Sequence, residues 1–394
     1  MAKPFSFVLS SLCLSLALVA ACGGARTRAV ELDPIEFKVD RQGGGKLYVR
    51  DYRALSAEAA DRMRTGDVAE ALRLYDVMLR EFGQEPGIHV VQFNAGLALL
   101  KLRRPREAAQ RFADARRRAA GSRDARDALF LQAQALDEAG QALEAAAVLR
   151  LALDDAAVQT EIGGPLGILD ELEASARVGI YLRKGGDLSR ADEAFKRVAR
   201  LYQDHRAVSV VAESEWVARA LYERGEIYRG LFASIRFQLP VERMKRDLED
   251  KSNLFLKAES AYFQCVRLQH KAWALAAGYE IGHLYTQLIE DIDTAEAPPE
   301  IDASMVDIYR DELWNHTERL AKRAVVIYKK NVELATRMGQ TDSDWVRRSE
   351  EGLARMEQLI ETAKARRVRL MTEPVAGPGA TTASDAQDSP ARGR

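Results

Sequence analysis

Cysteine is scarce in this chain of 394 residues. Only three are present, and two of them, Cys13 and Cys22, belong to an apolar N-terminal segment. Cys265 is therefore alone in the rest of the chain, which excludes an internal disulfide there. Since Cys265 shares a helical stripe with Ala258 and Tyr262, we expect a small core residue rather than a reactive thiol.

The sequence also lacks the usual signatures of catalysis and metal binding. Its five histidines include no pair at the helical spacing of a metal site. The Gly43-Gly44-Gly45 run lacks the Lys-Ser/Thr ending of a phosphate loop, and no Gly-x-Ser-x-Gly elbow occurs. We therefore predict that the protein is not an enzyme and uses no cofactor and no metal ion.

A strong net charge is missing as well. The chain has 58 Lys and Arg against 59 Asp and Glu, for a formal net charge of −1 at pH 7. This balance provides no long-range attraction to nucleic acid or to an anionic membrane. Local runs such as Arg116-Arg117-Arg118 are typical of solvated helix faces. We expect no nucleic-acid partner.

What the sequence does contain is an internal repeat between residues 59 and 198. A small residue is followed four places later by a large apolar one, and three places after that by another apolar one. These triplets are Ala71-Tyr75-Met78, Ala108-Phe112-Ala115, Ala145-Leu149-Ala152 and Ala191-Phe195-Val198. Twelve residues before each triplet lies a further small residue, namely Ala59, Gly96, Ala133 and Gly179. Offsets of three and four place residues on one helical stripe.

Turn residues separate the two helical parts of every repeat. They are Gly66-Asp67, Arg103-Arg104-Pro105, Gly140-Gln141 and Gly186-Asp187. Glycine suits the end of a helix, and proline suits the first turn of the next one. Each repeat is therefore predicted to be a helical hairpin, which buries its apolar face only by stacking on its neighbours.

This pattern resembles the tetratricopeptide repeat (TPR) family over residues 52–202. The best match is the second repeat, with Asn94-Ala95-Gly96, Leu99, Ala108, Phe112 and Ala115. The spacing of 37 residues departs from the family period of ~34, and the proline expected near each repeat's end survives only as a displaced Pro86. The resemblance implies an all-α fold, a right-handed solenoid of helical hairpins.

Beyond residue 205 the helical patterns become longer. We predict helices at 216–237, 254–268, 273–289, 305–338 and 345–370, which would form enlarged hairpins and a C-terminal capping helix. All four tryptophans lie in this half, which favours a thicker core there.

The N-terminal segment 1–22 is typical of a secretory signal peptide, because Lys3 precedes a short apolar run. The segment ends in Leu18-Val19-Ala20-Ala21-Cys22-Gly23, which resembles the lipobox of bacterial lipoproteins. That resemblance implies cleavage before Cys22 and acylation of its thiol, palmitate being one such chain. Lipid chains would anchor the protein without spanning the membrane. Ordinary secretion would instead leave Cys22 free.

We accordingly divide the chain into five parts. They are the signal peptide 1–22, a tether 23–50, four repeats 51–205, enlarged hairpins with a cap 206–371, and a tail 372–394. The tether alternates apolar and polar residues around Gly43-Gly44-Gly45, which fits either a short β-hairpin or an extended linker. The tail is rich in Gly, Pro, Ser, Thr and Ala, and we expect it to be disordered.

The resemblance also implies where partners bind, because the first helices of TPR hairpins line a concave groove. The residues that the register places there are Phe93, Asn94, Leu97, Lys101, Phe130, Gln134, Arg177 and Lys184. Two aromatic residues 37 apart, flanked by polar side chains, favour a groove for a protein or peptide segment. A tether or second half that covered the groove would remove this site.

Two classes of function follow. One is a scaffold, a lipid-anchored protein of the bacterial outer membrane that faces mostly the periplasm and recruits protein partners to an envelope machine. Similar TPR lipoproteins act in outer-membrane protein assembly, in the control of peptidoglycan synthesis and in the gliding apparatus of myxobacteria. The alternative is a helical lipoprotein that binds glycans, which would need an aromatic platform.

Overall fold

The computed structural model describes residues 51–372, and this part of the chain is all-α, without a β-strand. The all-α prediction is confirmed. The predicted signal peptide, the lipobox at Cys22, the tether 23–50 and the tail from residue 373 lie outside the described residues. No helix between residues 51 and 372 combines the length and the apolar character needed to cross a bilayer.

The four predicted repeats are helical hairpins. Their helices are α1 (Tyr52–Thr65), α2 (Val68–Glu81), α3 (Ile88–Lys101), α4 (Pro105–Arg118), α5 (Arg123–Glu138), α6 (Ala142–Asp154), α8 (Ile168–Lys184) and α9 (Leu188–His205), with a short α7 (Ala156–Glu161) before the fourth hairpin. Apart from the short α7, each of these helices packs on the next one along the chain, and α6 packs directly on α8, so the hairpins stack as a solenoid. The loop predicted at Gly163-Gly164-Pro165 follows α7.

The repeated residues form the contacts within each hairpin. All twelve members of the four triplets are buried. A Cβ atom added to Gly96 would lie 2.7 Å from the Phe112 ring, and one added to Gly179 would lie 2.4 Å from the Phe195 ring. The small residue thus makes room for the large one sixteen places later, which lets the two helices approach closely.

The turns between the helices behave as predicted. Gly140 and Gly186 have φ values of +78° and +84°, a region that favours glycine. In the second repeat Arg103 takes the left-handed conformation instead, with φ +58°. The Asp187 carboxylate then caps α9 by accepting a hydrogen bond from the Arg190 amide at 3.0 Å.

The second half contains α10 (Ser209–Ala212), α11 (Glu215–Ser234), α12 (Val241–Arg267), α13 (Ala274–Asp293), α14 (Val306–Arg337) and α15 (Asp344–Thr372), with one 3₁₀ turn at Ala303–Met305. The five predicted helices are all present. The predicted start at residue 254 is wrong, however, because α12 begins at Val241. Residues 241–250 are mostly charged and none is buried, so they show little apolar periodicity.

The hairpin contact also continues in this half. A Cβ atom on Gly225 would lie 2.4 Å from Tyr262, and one on Gly282 would lie 2.5 Å from Tyr328. The two pairs are 37 and 46 residues apart in sequence, compared with sixteen in the first four hairpins. The helices α11–α12 and α13–α14 therefore form a fifth and a sixth hairpin with extended tips.

The hydrophobic core crosses residue 205 without interruption. One buried cluster runs from Leu129 in α5 to Ala363 in α15, and a second one holds the first two hairpins. Helix α15 contributes Met356 and Ala363 to the core, whereas most of its other side chains are exposed or partly exposed and many are charged. This one-sided burial suits the predicted cap of a solenoid. Cys265 is fully buried, as predicted.

Candidate binding groove

The predicted groove residues of the second hairpin lie on one side of α3. Phe93, Asn94 and Leu97 are half-buried, and Lys101 at the end of the helix is exposed. The Phe93 ring packs edge-on against Phe112, with 5.6 Å between ring centroids. Phe93 is therefore partly exposed and shares one edge with the hairpin core.

The third and fourth hairpins contribute the remaining predicted residues. Phe130 is half-buried and contacts the main core cluster, and Gln134 donates a hydrogen bond to Glu138 at 2.9 Å. The exposed Lys184 reaches across to Asp137, with 2.6 Å between Nζ and Oδ2. This ion pair connects α5 of the third hairpin with α8 of the fourth.

The register of the small residues extends this surface into the second half. Phe93 and Phe130 each lie three residues before the small residue of their hairpin. Counting three residues back from Gly225 and Gly282 gives Tyr222 and Tyr279. These two tyrosines are half-buried like the two phenylalanines. Four of the six hairpins therefore carry an aromatic residue at one equivalent position.

Arginine and tryptophan side chains surround the tyrosines. The guanidinium of Arg177 lies 5.0 Å from the Trp216 ring centroid, and that of Arg219 lies 5.5 Å from Trp216 and 5.6 Å from Trp273. Tyr222 packs on Trp273 with a centroid distance of 5.2 Å. Cation–π contacts of this kind stabilise by roughly 0.5–2 kcal/mol each.

The strip continues onto the capping helix. Tyr279 lies 5.7 Å from Trp345 between ring centroids and stacks on His283 at the same distance. The Arg348 guanidinium lies 4.8 Å from the Trp345 ring centroid. We call this run across α8, α11, α13 and α15 the aromatic strip. Its members are Arg177, Trp216, Arg219, Tyr222, Trp273, Tyr279, His283, Trp345 and Arg348.

Buried carboxylates lie beside the aromatic strip. Glu226 accepts hydrogen bonds from the Tyr262 hydroxyl at 2.5 Å and from the Arg229 guanidinium at 2.6 Å. Burial acts to raise the pKa of Glu226, but the bonds from Arg229 and Tyr262 outweigh it and lower the pKa. Among residues 51–372, the one ion pair of Glu280 is with the Arg229 Nε atom, at 3.4 Å. Burial, together with the charge of Glu226, raises the pKa of Glu280 to about 7.

Within residues 51–372, no group of three or more His, Cys, Asp or Glu is placed to hold a metal ion. Burial raises the pKa of the Cys265 thiol to about 12, which keeps it protonated and unreactive. The Cys265 Sγ atom lies 3.3 Å from the Ala218 carbonyl oxygen, as expected for a core residue.

Sequence reasoning missed the aromatic strip. The tryptophans were interpreted as core residues, whereas Trp216, Trp273 and Trp345 are half-buried in the aromatic strip and only Trp314 is buried. A signal was present in Gly225 and Gly282, which occupy the position of the small residue. The longer separation from their aromatic partners concealed it.

Comparison with known proteins gives a likeness of fold. No family model matches the chain, and no curated protein matches it. Among solved structures, a TPR protein from Bacteroides fragilis NCTC 9343 is similar with a TM-score of 0.33 and 17% identity, covering 61% of this chain and 98% of that one. A tetratricopeptide repeat protein from Parabacteroides merdae ATCC 43184 is similar with a TM-score of 0.35 and 12% identity, covering 76% of this chain and 98% of that one. A Rap protein complexed with competence and sporulation factor is similar with a TM-score of 0.33 and 14% identity, covering 79% of this chain and 76% of that one. At these identities the likeness says nothing about what this chain binds.

Proposed function

We propose that this protein is a non-enzymatic scaffold, anchored by lipid at Cys22 to the bacterial outer membrane, whose groove holds a segment of a protein partner. One observation supports this proposal above the others. An aromatic residue recurs at one register position in four of the six hairpins, half-buried each time, at Phe93, Phe130, Tyr222 and Tyr279. Recurrent, partly exposed aromatic residues are typical anchors of protein interfaces.

The chemistry of the aromatic strip favours a peptide over a glycan. A sugar stacks on a free aromatic face, whereas Trp216, Trp273 and Trp345 each have an arginine guanidinium over the ring. Arginine, tryptophan and tyrosine together are the residue types enriched in protein–protein hot spots. The glycan-binding alternative is therefore the weaker one.

The setting of this interaction is the cell envelope. The lipobox resemblance at residues 19–22 supports export and acylation, and Gly23 after the cysteine argues against retention at the inner membrane. The body of the protein then faces the periplasm and brings a partner to a machine for protein assembly, peptidoglycan synthesis or motility. The Arg- and Ala-rich composition favours a high-GC organism, such as those that use the myxobacterial gliding apparatus.

Site-specific photo-crosslinking in intact cells tests the groove. A photoreactive residue replacing Lys101, which is exposed at the end of α3, is expected to form an adduct with one defined envelope protein. The same residue replacing Arg117, exposed on the second helix of that hairpin, is the matched control. Equal crosslinking from both positions, or none from Lys101 and other groove positions, would contradict the proposal.

The anchor is tested separately. Mass spectrometry of the mature N-terminus is expected to find Cys22 as the first residue with acyl mass. Replacing it in Cys22→Ser is expected to release the protein from the membrane fraction. A mature form that begins at Cys22 without acyl chains would refute lipidation and leave the groove proposal untouched.

A further inference from the structure

A separate cleft lies away from the groove, between the third and fourth hairpins. Its walls come from the second helices α6 and α9, and its floor comes from α8. The cleft encloses about 250 Å³. This volume is somewhat below the ~300–1,000 Å³ of sites for drug-sized ligands, so a small molecule fits it.

Positive charge dominates the rim of the cleft. Four arginines line it, against two carboxylates: Arg150, Arg190, Arg197, Arg200, Asp154 and Glu193. Two of the four arginines are already neutralised. Arg190 is paired with Asp187, and Arg197 is paired with Asp154 at 2.9 Å and with Glu171 at 2.8 Å.

The other two arginines have no such partner. Neither Arg150 nor Arg200 has a carboxylate oxygen within 4.0 Å anywhere in residues 51–372. Glu193 does not compensate them, because the Lys196 ammonium holds it at 2.7 Å. The pKa of the Asp187 carboxyl is lowered chiefly by its hydrogen bonds with Arg190 and also by the nearby charge of Arg150. Neither Arg150 nor Arg200 is held in an ion pair, however, so each guanidinium can bind an oxyanion through two parallel hydrogen bonds.

The floor provides an independent sign of a ligand. Ser175 is 1% exposed, and its hydroxyl has no hydrogen-bond partner in the described part of the chain. A buried hydroxyl without a partner is unfavourable. Ser175 lines the cleft together with Val178 and Leu182, and Leu153 adds a further apolar side chain from α6. The cleft is thus apolar inside, with one unused hydroxyl on its floor and cationic groups at its rim.

We propose that this cleft binds a small amphiphilic oxyanion, a phosphate ester or carboxylate carried on a short aliphatic chain. The oxyanion lies between Arg150 and Arg200, the chain packs on Leu153, Val178 and Leu182, and the Ser175 hydroxyl donates to an oxygen of the ligand. The site is distinct from the groove, so it can fail or hold independently of the proposed scaffold function.

Calorimetric titration of the purified chain with butyl phosphate and with hexanoate tests the proposal. At least one of the two is expected to bind with sub-millimolar affinity and more tightly than inorganic phosphate, while 1-butanol, which lacks the charge, does not bind. The two titrations also distinguish a phosphate ester from a carboxylate. Affinity is expected to fall as salt rises from about 0.05 to about 0.5 M, because the rim is solvent-exposed.

Substitutions locate the binding. Arg150→Gln with Arg200→Gln is expected to weaken binding about tenfold or more, since hydrogen bonds to charged groups are the strong ones. The control is Arg106→Gln. Arg106 is exposed on α4 and makes no ion pair among residues 51–372, and its replacement removes one positive charge, as each of the two cleft substitutions does. Both arginine changes lie outside the core, so folding is retained.

Ser175→Ala separates a ligand site from a structural role. Without ligand, removal of an unpaired buried hydroxyl is expected to leave the melting temperature unchanged or raise it, while binding weakens several-fold. The proposal is overturned if neither anion binds, if 1-butanol binds as well as they do, or if the Arg150 and Arg200 double variant binds like the Arg106 control.

Discussion

The most informative stability test concerns Lys251, a lysine with no exposed surface in α12. Its ammonium group donates to the carbonyl oxygens of Phe232 and Ile235, both at 2.9 Å, and lies 2.7 Å from Asp291 Oδ2. Two of its three ammonium protons therefore bond the carbonyl oxygens, and its contact with Asp291 is an ion pair without hydrogen-bond geometry. Lys251 thereby ties the end of α11 to α12 and α13 at the base of the extended tips.

Lys251→Met keeps the length of the side chain and removes its charge and its donors. Two carbonyl oxygens lose their side-chain donor, and Asp291, 16% exposed, keeps one ion pair in the described part of the chain, with Arg236 at 3.6 Å. Removing one member of a buried ion pair costs about 3–5 kcal/mol, because the other charge stays buried and unpaired. The double change Lys251→Met with Asp291→Leu is expected to recover about half of this loss. It removes the carboxylate, but the Ile235 carbonyl oxygen still lacks its side-chain donor, at a cost of about 1–3 kcal/mol, whereas the Phe232 carbonyl oxygen keeps the Ile235 amide at 3.3 Å.

Urea unfolding followed by tryptophan fluorescence measures the effect, since all four tryptophans lie in the second half of the chain. Lys245→Met, an exposed lysine on the same helix, is the matched control and is expected to change stability by less than about 0.5 kcal/mol. A loss below about 1 kcal/mol for Lys251→Met, or one equal to that of the control, would refute the role assigned to Lys251.

Three further predictions concern the rest of the fold. The pKa of Glu280 is raised in the folded state to about 7, so the stability that its protonated form contributes is full below the ordinary pKa of a glutamate and is lost as pH rises towards 7. Glu280→Gln is therefore expected to be as stable as the parent at pH 5 and more stable at pH 8, by up to about 3 kcal/mol in thermal melts. A stability difference that does not change with pH would contradict this. Gly225→Ala places a Cβ atom 2.4 Å from Tyr262 and is expected to lower the free energy of unfolding by about 1–3 kcal/mol. Gly230→Ala on the same helix has no atom within 4 Å of the new Cβ and is expected to raise it by about 0.5–1 kcal/mol. Equal changes in the two variants would contradict the role assigned to the Gly225 contact. Truncation after Arg200 is expected to cause aggregation, because it exposes the core around Phe195; a soluble fragment 50–200 with a cooperative melt would show that the halves are separate domains.

The first four hairpins could be predicted because their packing depends on size alone. Gly96 and Phe112 lie at a fixed separation, and a helical hairpin with a short turn brings that pair together whatever its surroundings. The turn at Gly186 could be predicted for a similar local reason, because the chain takes a positive φ there and glycine favours that conformation. Local geometry and side-chain volume are properties that a sequence displays directly.

The fifth and sixth hairpins were harder because their helices are longer. When Gly225 and Tyr262 are separated by 37 residues, no fixed offset identifies them as partners. The environment of Lys251 was equally hidden, since a lysine in a charged stretch of α12 usually lies in solvent. Only the three-dimensional position of Asp291, forty residues later on α13, makes its burial favourable.

The insertions leave the groove intact because they lie at the hairpin tips. The contacts of Gly225 and Gly282 with their aromatic partners are kept, so the first helices α8, α11, α13 and the cap α15 remain neighbours. Packed helices lie about 8–10 Å apart, so three intervals between these four axes span roughly 25–30 Å. An extended peptide covers about 3.3–3.6 Å per residue, and a partner segment along the aromatic strip therefore has about eight residues. A partner segment that also contacts Phe93 on α3 and Phe130 on α5 must be longer than this, because those helices precede α8 in the stack.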